Sequence, residues 1–162
     1  MKLDTIVVPL DGSVLAEMAL ARAAEIVGGA DTCVILVRAA QAYTFPGVDM
    51  VDAQVKVVRE AEAYLADAAA RMRALDVKDV RGSVWYGAAA PAIIEAAKAH
   101  HADLIVMTTH GRSGLGRLVL GSVAGSVVCG TTTPILLLRD GTAAVATPDG
   151  SAEEAPSDHG RN

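Results

Sequence analysis

Five short apolar runs punctuate the chain, and their character and spacing restrict its fold more than any other feature. They fall at residues 5–10 (TIVVPL), 32–39 (TCVILVRA), 80–86 (VRGSVWY), 103–108 (DLIVMT) and 134–139 (PILLLR). Four are near-continuous rather than alternating, the pattern of strands covered on both faces in a parallel sheet. The third alternates, with Arg81 and Ser83 between Val80, Val84 and Tyr86, and it predicts an edge strand.

The segments between these runs have helical spacing and are long enough to return the chain parallel. Residues 13–27 place Leu15, Met18, Ala19, Ala23 and Ile26 on one face, with Ser13 as N-cap and Gly28-Gly29 as the stop. Residues 49–74 predict the longest helix, with a stripe of Val51, Val55, Val58, Leu65, Ala69 and Met72 that only Glu62 interrupts. Residues 88–101 carry Pro91 near the first turn, where a missing N–H is harmless, then Ile93, Ile94 and Ala97. A fourth helix is expected over 122–129, with Val123, Val127 and Val128 on its buried side.

Strand and helix alternate as βαβαβαβαβ, which predicts an open, Rossmann-like α/β sheet of five parallel strands with helices on both faces. Ligands of such sheets bind beyond the carboxyl ends of the strands, where the winding direction switches. Residues 11–13, 39–41 and 109–122 therefore become the candidate site.

A chain of 162 residues suits one domain, expected over 1–139. Residues 140–162 are rich in Gly, Pro, Ser, Thr and acids and read as a disordered tail. Asp140, Asp149, Glu153, Glu154 and Asp158 stand there against Arg161 alone, so most of the net charge of −5 belongs to the tail. No basic cluster is available to release counterions from DNA, RNA or an anionic membrane, and 3% aromatic residues give little to stack on bases. Cys33 and Cys129 stand alone in apolar runs, which indicates buried small hydrophobes rather than a disulfide or zinc framework. The N-terminus reads as a first strand and not as a signal peptide, and no apolar run is long enough to span a bilayer. A cytoplasmic setting is the expectation.

The chemistry concentrates in residues 107–124, MTTHGRSGLGRLVLGSVA, which follow a buried run and lead into a helix. Gly111, Gly114, Gly116 and Gly121 let the backbone approach an anion, and the N–H groups of the turn and helix N-terminus can then point at it. Two other phosphate motifs fail. From Gly116 the spacing of a Walker A loop is present, but Ser122 stands where the lysine is required; Gly114-Leu-Gly116 opens a dinucleotide fingerprint, but Val119 replaces its third glycine.

This stretch, together with VVPLDGS at the start and the DLIVMTTHGR block, resembles the universal stress protein family over residues 3–139. ATP-binding members of that family carry Gly-x2-Gly-x9-Gly-Ser/Thr; here the pattern is Thr108-x2-Gly111-x9-Gly121-Ser122, with Thr in place of the first glycine. The resemblance implies an adenine-nucleotide α-hydrolase-like fold and ATP, with Mg, as ligand. It implies that Gly111, Gly121, Ser122 and Val123 offer main-chain amides to the phosphates, Ser122 adding its hydroxyl. Asp11 matches the acidic residue near the ribose and the metal-linked phosphates, and the main chain of Ala39 matches the adenine edge. Pro9, Arg112 and Gly114 complete the implied site. Family members are also similar in pairing as homodimers through their last strand, here residues 134–138, which would cover an exposed apolar sheet edge.

Simpler roles stand beside these. Asp11 also suits the opening of the first helix, the glycines suit a tight connection, and loop arginines such as Arg112 and Arg117 are ordinarily solvated. His110 adjoins the loop without an assigned contact. His100 and His101 end a helix, where capping is favoured over metal binding, and Trp85 and Tyr86 suit edge packing or a flank of the crevice. No Ser-His-Asp or Cys-His order and no paired carboxylates mark a catalytic centre. The expectation is an ATP-binding regulatory homodimer with unidentified protein partners, against two rivals: an interaction protein of the same fold without a nucleotide, and a slow ATP-hydrolysing enzyme.

Overall fold

The computed structural model describes residues 3–28, 31–42, 49–109 and 120–139. The elements run β1 (Thr5–Pro9), α1 (Val14–Val27), β2 (Cys33–Ala40), α2 (Met50–Ala74), β3 (Asp79–Tyr86), α3 (Ala89–Ala99), β4 (Leu104–Thr109), α4 (Ser122–Gly130) and β5 (Ile135–Arg139). All four strand pairings are parallel, in the order β3-β2-β1-β4-β5. The expected five-stranded α/β sheet is therefore present, and the alternating third run does form an edge. The tail at 140–162 and the turn glycine Gly29 lie outside the described residues.

Side-chain alternation along the strands sorts the core into two layers. Ile6, Val8, Val34, Leu36 and Val106 meet α1 and α2 on one face. Val7, Ile35, Val37, Ile105 and Met107 meet α3 and α4 on the other. The central strands β1, β2 and β4 are buried on both faces, which explains why their sequences show no polar alternation.

The helices form where expected but three present different faces to the sheet. On α1 the buried residues are Ala16, Ala19, Leu20, Ala23 and Val27, while Met18 is exposed and Leu15 and Ile26 are half-buried. Alanines surround this helix, so hydrophobic periodicity leaves its rotation open, and the flat alanine side allows close approach to the sheet. On α2 the buried residues begin only at Ala61, and Val51 and Val55 are exposed. A helix of 25 residues spans about 37 Å, whereas strands of five to eight residues span roughly 17–27 Å. The first turns of α2 therefore overshoot the sheet. On α4, Ala124 and Val127 face inward, while Val123, Val128 and Cys129 are exposed.

Neither cysteine is fully buried: Cys33 is half-buried at the outset of β2, with burial pushing its thiol up, and Cys129 faces away from the sheet on the last turn of α4. His100 caps the C-terminus of α3, its Nε2 3.4 Å from Ser83 Oγ. Among the described residues no helix is long and apolar enough to cross a membrane, and no cluster of His, Cys, Asp and Glu could hold a metal ion.

Candidate functional site

The chain leaves β1 toward β2 and β3, then returns to place β4 on the opposite side of β1. The connections after β1 and β4 consequently diverge, and a crevice opens between them. It holds a cleft of about 330 Å³, near the lower end of the roughly 300–1,000 Å³ typical of small-ligand sites. Pro9, Leu10 and Asp11 form one wall, Val37, Arg38 and Ala39 the second, and Thr108 through Thr109 with Gly121 to Ala124 the third. Ala16 of α1 and Ala89 and Ile93 of α3 close the floor.

Six of the residues singled out from the sequence, Pro9, Asp11, Ala39, Gly121, Ser122 and Val123, thus come together around one cleft. Gly111, Arg112 and Gly114, with His110, Gly116 and Arg117, lie outside the described residues.

At the first wall, Asp11 Oδ1 accepts the Ser13 N–H at 2.8 Å, and Ser13 Oγ accepts the Ala16 N–H at 3.1 Å as N-cap of α1. Asp11 therefore does open the helix, the simpler role, while also lining the cleft. Gly12 between them has φ +87°, a backbone state that favours glycine.

The second wall follows from strand geometry. Leu10 N–H donates to Val37 O at 2.8 Å, so Val37 directs its peptide groups toward β1. Ala39, two residues on, directs its own the same way, but β1 ends at Pro9 and offers no ladder partner there. Ala40 points the opposite way: its carbonyl accepts Gly87 N–H at 3.3 Å and Gln54 Nε2–H at 3.4 Å, and Gln54 Oε1 accepts Ala42 N–H. The strand tip is thereby anchored on one side and open toward the cleft on the other.

The third wall is the start of α4. Its N-cap is Gly121, which has no side chain to accept the first-turn amides. Gly121 N–H itself donates to Oγ1 of the buried Thr109 at 3.1 Å, which fixes where the helix begins. Ser122 and Val123 are exposed at the cleft rim. Thr108, the residue in place of the motif's first glycine, is half-buried at the end of β4 and also lines the cleft.

Sequence reasoning missed Arg38, and it included Thr109 in the candidate stretch without its role as acceptor for Gly121 N–H. Arg38 lies with its guanidinium 4.5 Å from the centroid of the Tyr64 ring on α2. Tyr64 donates its hydroxyl to Glu17 Oε1 at 3.3 Å, and Arg71 grips both Glu17 oxygens at 2.9 and 3.0 Å. The Arg71 guanidinium holds the Glu17 carboxyl below its usual range, while burial raises the Tyr64 hydroxyl. The signal was legible in principle, since Arg38 is the single charge inside the second apolar run. Trp85 and Tyr86 do not flank the cleft. Trp85 packs on the α3–α4 layer and donates to Ser83 Oγ at 2.9 Å, and Tyr86 is exposed over the groove between α2 and β3.

Comparison with known proteins agrees with this geometry. The family model described as "Universal stress protein family" matches residues 2–139. A universal stress protein from Methanocaldococcus jannaschii is 45% identical over 53 residues, which is 33% of this chain and 31% of that protein. The matched stretch thus spans about a third of that curated relative. Among solved structures, a universal stress family protein from Burkholderia pseudomallei is 28% identical with a TM-score of 0.66, covering 83% of this chain and 95% of that one. A universal stress protein solved in complex with cAMP is 26% identical with a TM-score of 0.68, covering 84% and 97%. With a family match across all of the described residues and a crevice in the expected place, this chain belongs to the universal stress protein family.

Proposed function

We propose that the cleft binds an adenine nucleotide, ATP with magnesium, and that occupancy of the loop following β4 regulates what a homodimer presents to partner proteins. The observation that carries this reading is the convergence of Asp11, the open strand tip at Ala39 and the uncapped start of α4 on one cleft. The cAMP complex of a 26% identical relative supports it.

The chemistry of the walls fits such a ligand. Peptide groups at Ala39 suit the hydrogen-bonding edge of adenine, as backbone recognition requires an edge with both donor and acceptor. The first-turn amides of α4, at Ser122 and Val123, suit phosphate oxygens, being unpaired donors at the positive end of a helix dipole. The Ser122 hydroxyl adds one donor. Gly111, Gly114 and Arg112 would extend the same cradle. Asp11 would approach the magnesium that accompanies the phosphates, and that ion would neutralise part of their charge.

Binding is the proposed activity rather than rapid turnover, because the glycine-rich stretch has no Walker lysine and no assigned base to orient water. The dimer contact is proposed along β5, whose Ile135, Leu136, Leu137 and Leu138 are only half-buried at an open sheet edge.

Titration calorimetry with ATP and magnesium, paired with thermal unfolding, tests the reading. Saturable heat and a rise in Tm are expected, because a ligand specific to the native state must stabilise it. Absence of both at millimolar nucleotide would favour an interaction protein that uses the fold without the ligand.

A further inference from the structure

Arg38 is the only cation among the described residues that line the cleft. It belongs to β2, adjacent to Ala39, but its side chain emerges on the α1–α2 face, over Tyr64. An arginine serving only to cover apolar surface carries its head out into water. Here Arg38 as a residue is half-buried, and its guanidinium lies over a ring that is itself tied through Glu17 to Arg71. Stacking occupies the flat face of a guanidinium and leaves the N–H groups at its edge for an anion.

That edge abuts the turn after β1. A Cβ at Gly12 would lie 3.4 Å from Arg38 Nη1 and 3.6 Å from Nη2. The guanidinium therefore sits beside Gly12, next in the chain to Asp11, whose Oδ1 accepts Ser13 N–H. With the base at Ala39 and the phosphate chain at the start of α4, the Asp11–Arg38 corner belongs to neither end. It adjoins the path of the ribose that joins them. A carboxylate alone at such a corner suits a ribose diol, whereas a neighbouring arginine accommodates a phosphate on that diol.

We infer that Arg38 makes the cleft selective for adenine nucleotides whose ribose carries an additional phosphate on its 2′ or 3′ oxygen. This rests on the nucleotide reading above. Competitive calorimetry should compare ADP with 2′-phospho-ADP and 3′-phospho-ADP, on the wild type and on Arg38→Gln and Arg38→Lys. One of the two phosphorylated forms is expected to bind about tenfold or more tightly than ADP, as a bidentate charge-assisted contact would allow. Arg38→Gln should weaken the favoured phosphorylated form about tenfold more than it weakens ADP, so that the gain over ADP is abolished, and Arg38→Lys should retain part of it. Equal affinity of the wild type for all three ligands, or a gain that survives in Arg38→Gln, would overturn the role of Arg38 while leaving the nucleotide reading intact. Failure of all three to bind would overturn both. Should Arg38→Gln unfold, Arg38→Lys alone decides, since an undiminished tenfold gain with a point charge would exclude the bidentate contact.

Discussion

The two ends of the sheet are built in opposite ways. At the amino ends of the strands, side chains close the backbone: Asp103 Oδ2 accepts the N–H groups of Asp4 and Thr5 at 2.8 and 2.9 Å, and buried Thr32 donates its hydroxyl to Leu3 O at 2.8 Å. Main-chain bonds from Cys33 to Asp4 and from Asp103 to Thr5 complete the seam. At the carboxyl ends, Ala39 and the first turn of α4 face a cleft, where small residues such as Ala16, Ala39, Ala89 and Gly121 stand beside Leu10, Val37, Ile93 and Met107. The amino end closes its backbone with side chains throughout; the carboxyl end does so at Asp11, Ser13 and Thr109 but leaves the Ala39 tip and the first-turn amides of α4 facing the cleft. Fold stability and ligand affinity should accordingly respond to different substitutions.

The largest separation is expected from Gly121→Asp. Gly121 has φ −55°, and a Cβ there would meet only Thr109 Oγ1 at an ordinary 3.6 Å, so the fold accommodates a side chain. A carboxylate at the proposed phosphate position should reduce ATP affinity by roughly 100-fold or more in calorimetry, with stability within about 0.5 kcal/mol of the wild type. Asp103→Ala should do the reverse. It strands two N–H groups and should lower the unfolding free energy in urea by about 1–3 kcal/mol, with ATP affinity unchanged.

Between these lies Thr109→Val, which preserves shape but removes the acceptor of Gly121 N–H. It should lower stability by about 1 kcal/mol and weaken ATP several-fold, because the start of α4 is no longer pinned. If affinity holds while stability falls, the amides of α4 do not carry the binding. The smallest effect concerns pH. Arg71 holds the Glu17 carboxyl below its ordinary value of 4.5, so the pair stabilises the fold above that pH and its contribution is lost as pH falls through the depressed value. Both side chains are partly exposed, so the effect is modest. The stability difference between wild type and Glu17→Gln should shrink below pH 4.5, as followed by thermal unfolding.

The sheet was legible in the sequence because strands buried on both faces must be apolar throughout, and only the edge at β3 shows alternation. Helix rotation was less so: alanines all round α1 leave no unique stripe, and the valines of early α2 mimic a core face that the sheet is too short to cover. The candidate residues Asp11, Ala39 and Gly121 could be brought to one cleft from the sequence because parallel topology carries every strand's carboxyl end to one side. Arg38 escaped notice, and Thr109 was placed without its role, because both roles depend on partners distant in the chain, Tyr64 and Gly121, which no local pattern connects.

The contrast between the two ends is tested most directly by amide NMR of the labelled protein titrated with ATP and magnesium. Shifts are predicted at Asp11, Ala39, Gly121, Ser122 and Val123, with Asp4, Thr32 and Asp103 unmoved. Saturating nucleotide that leaves Ala39 and Gly121 in place, or that moves the amino-end seam instead, would contradict a ligand site at the carboxyl ends of the strands.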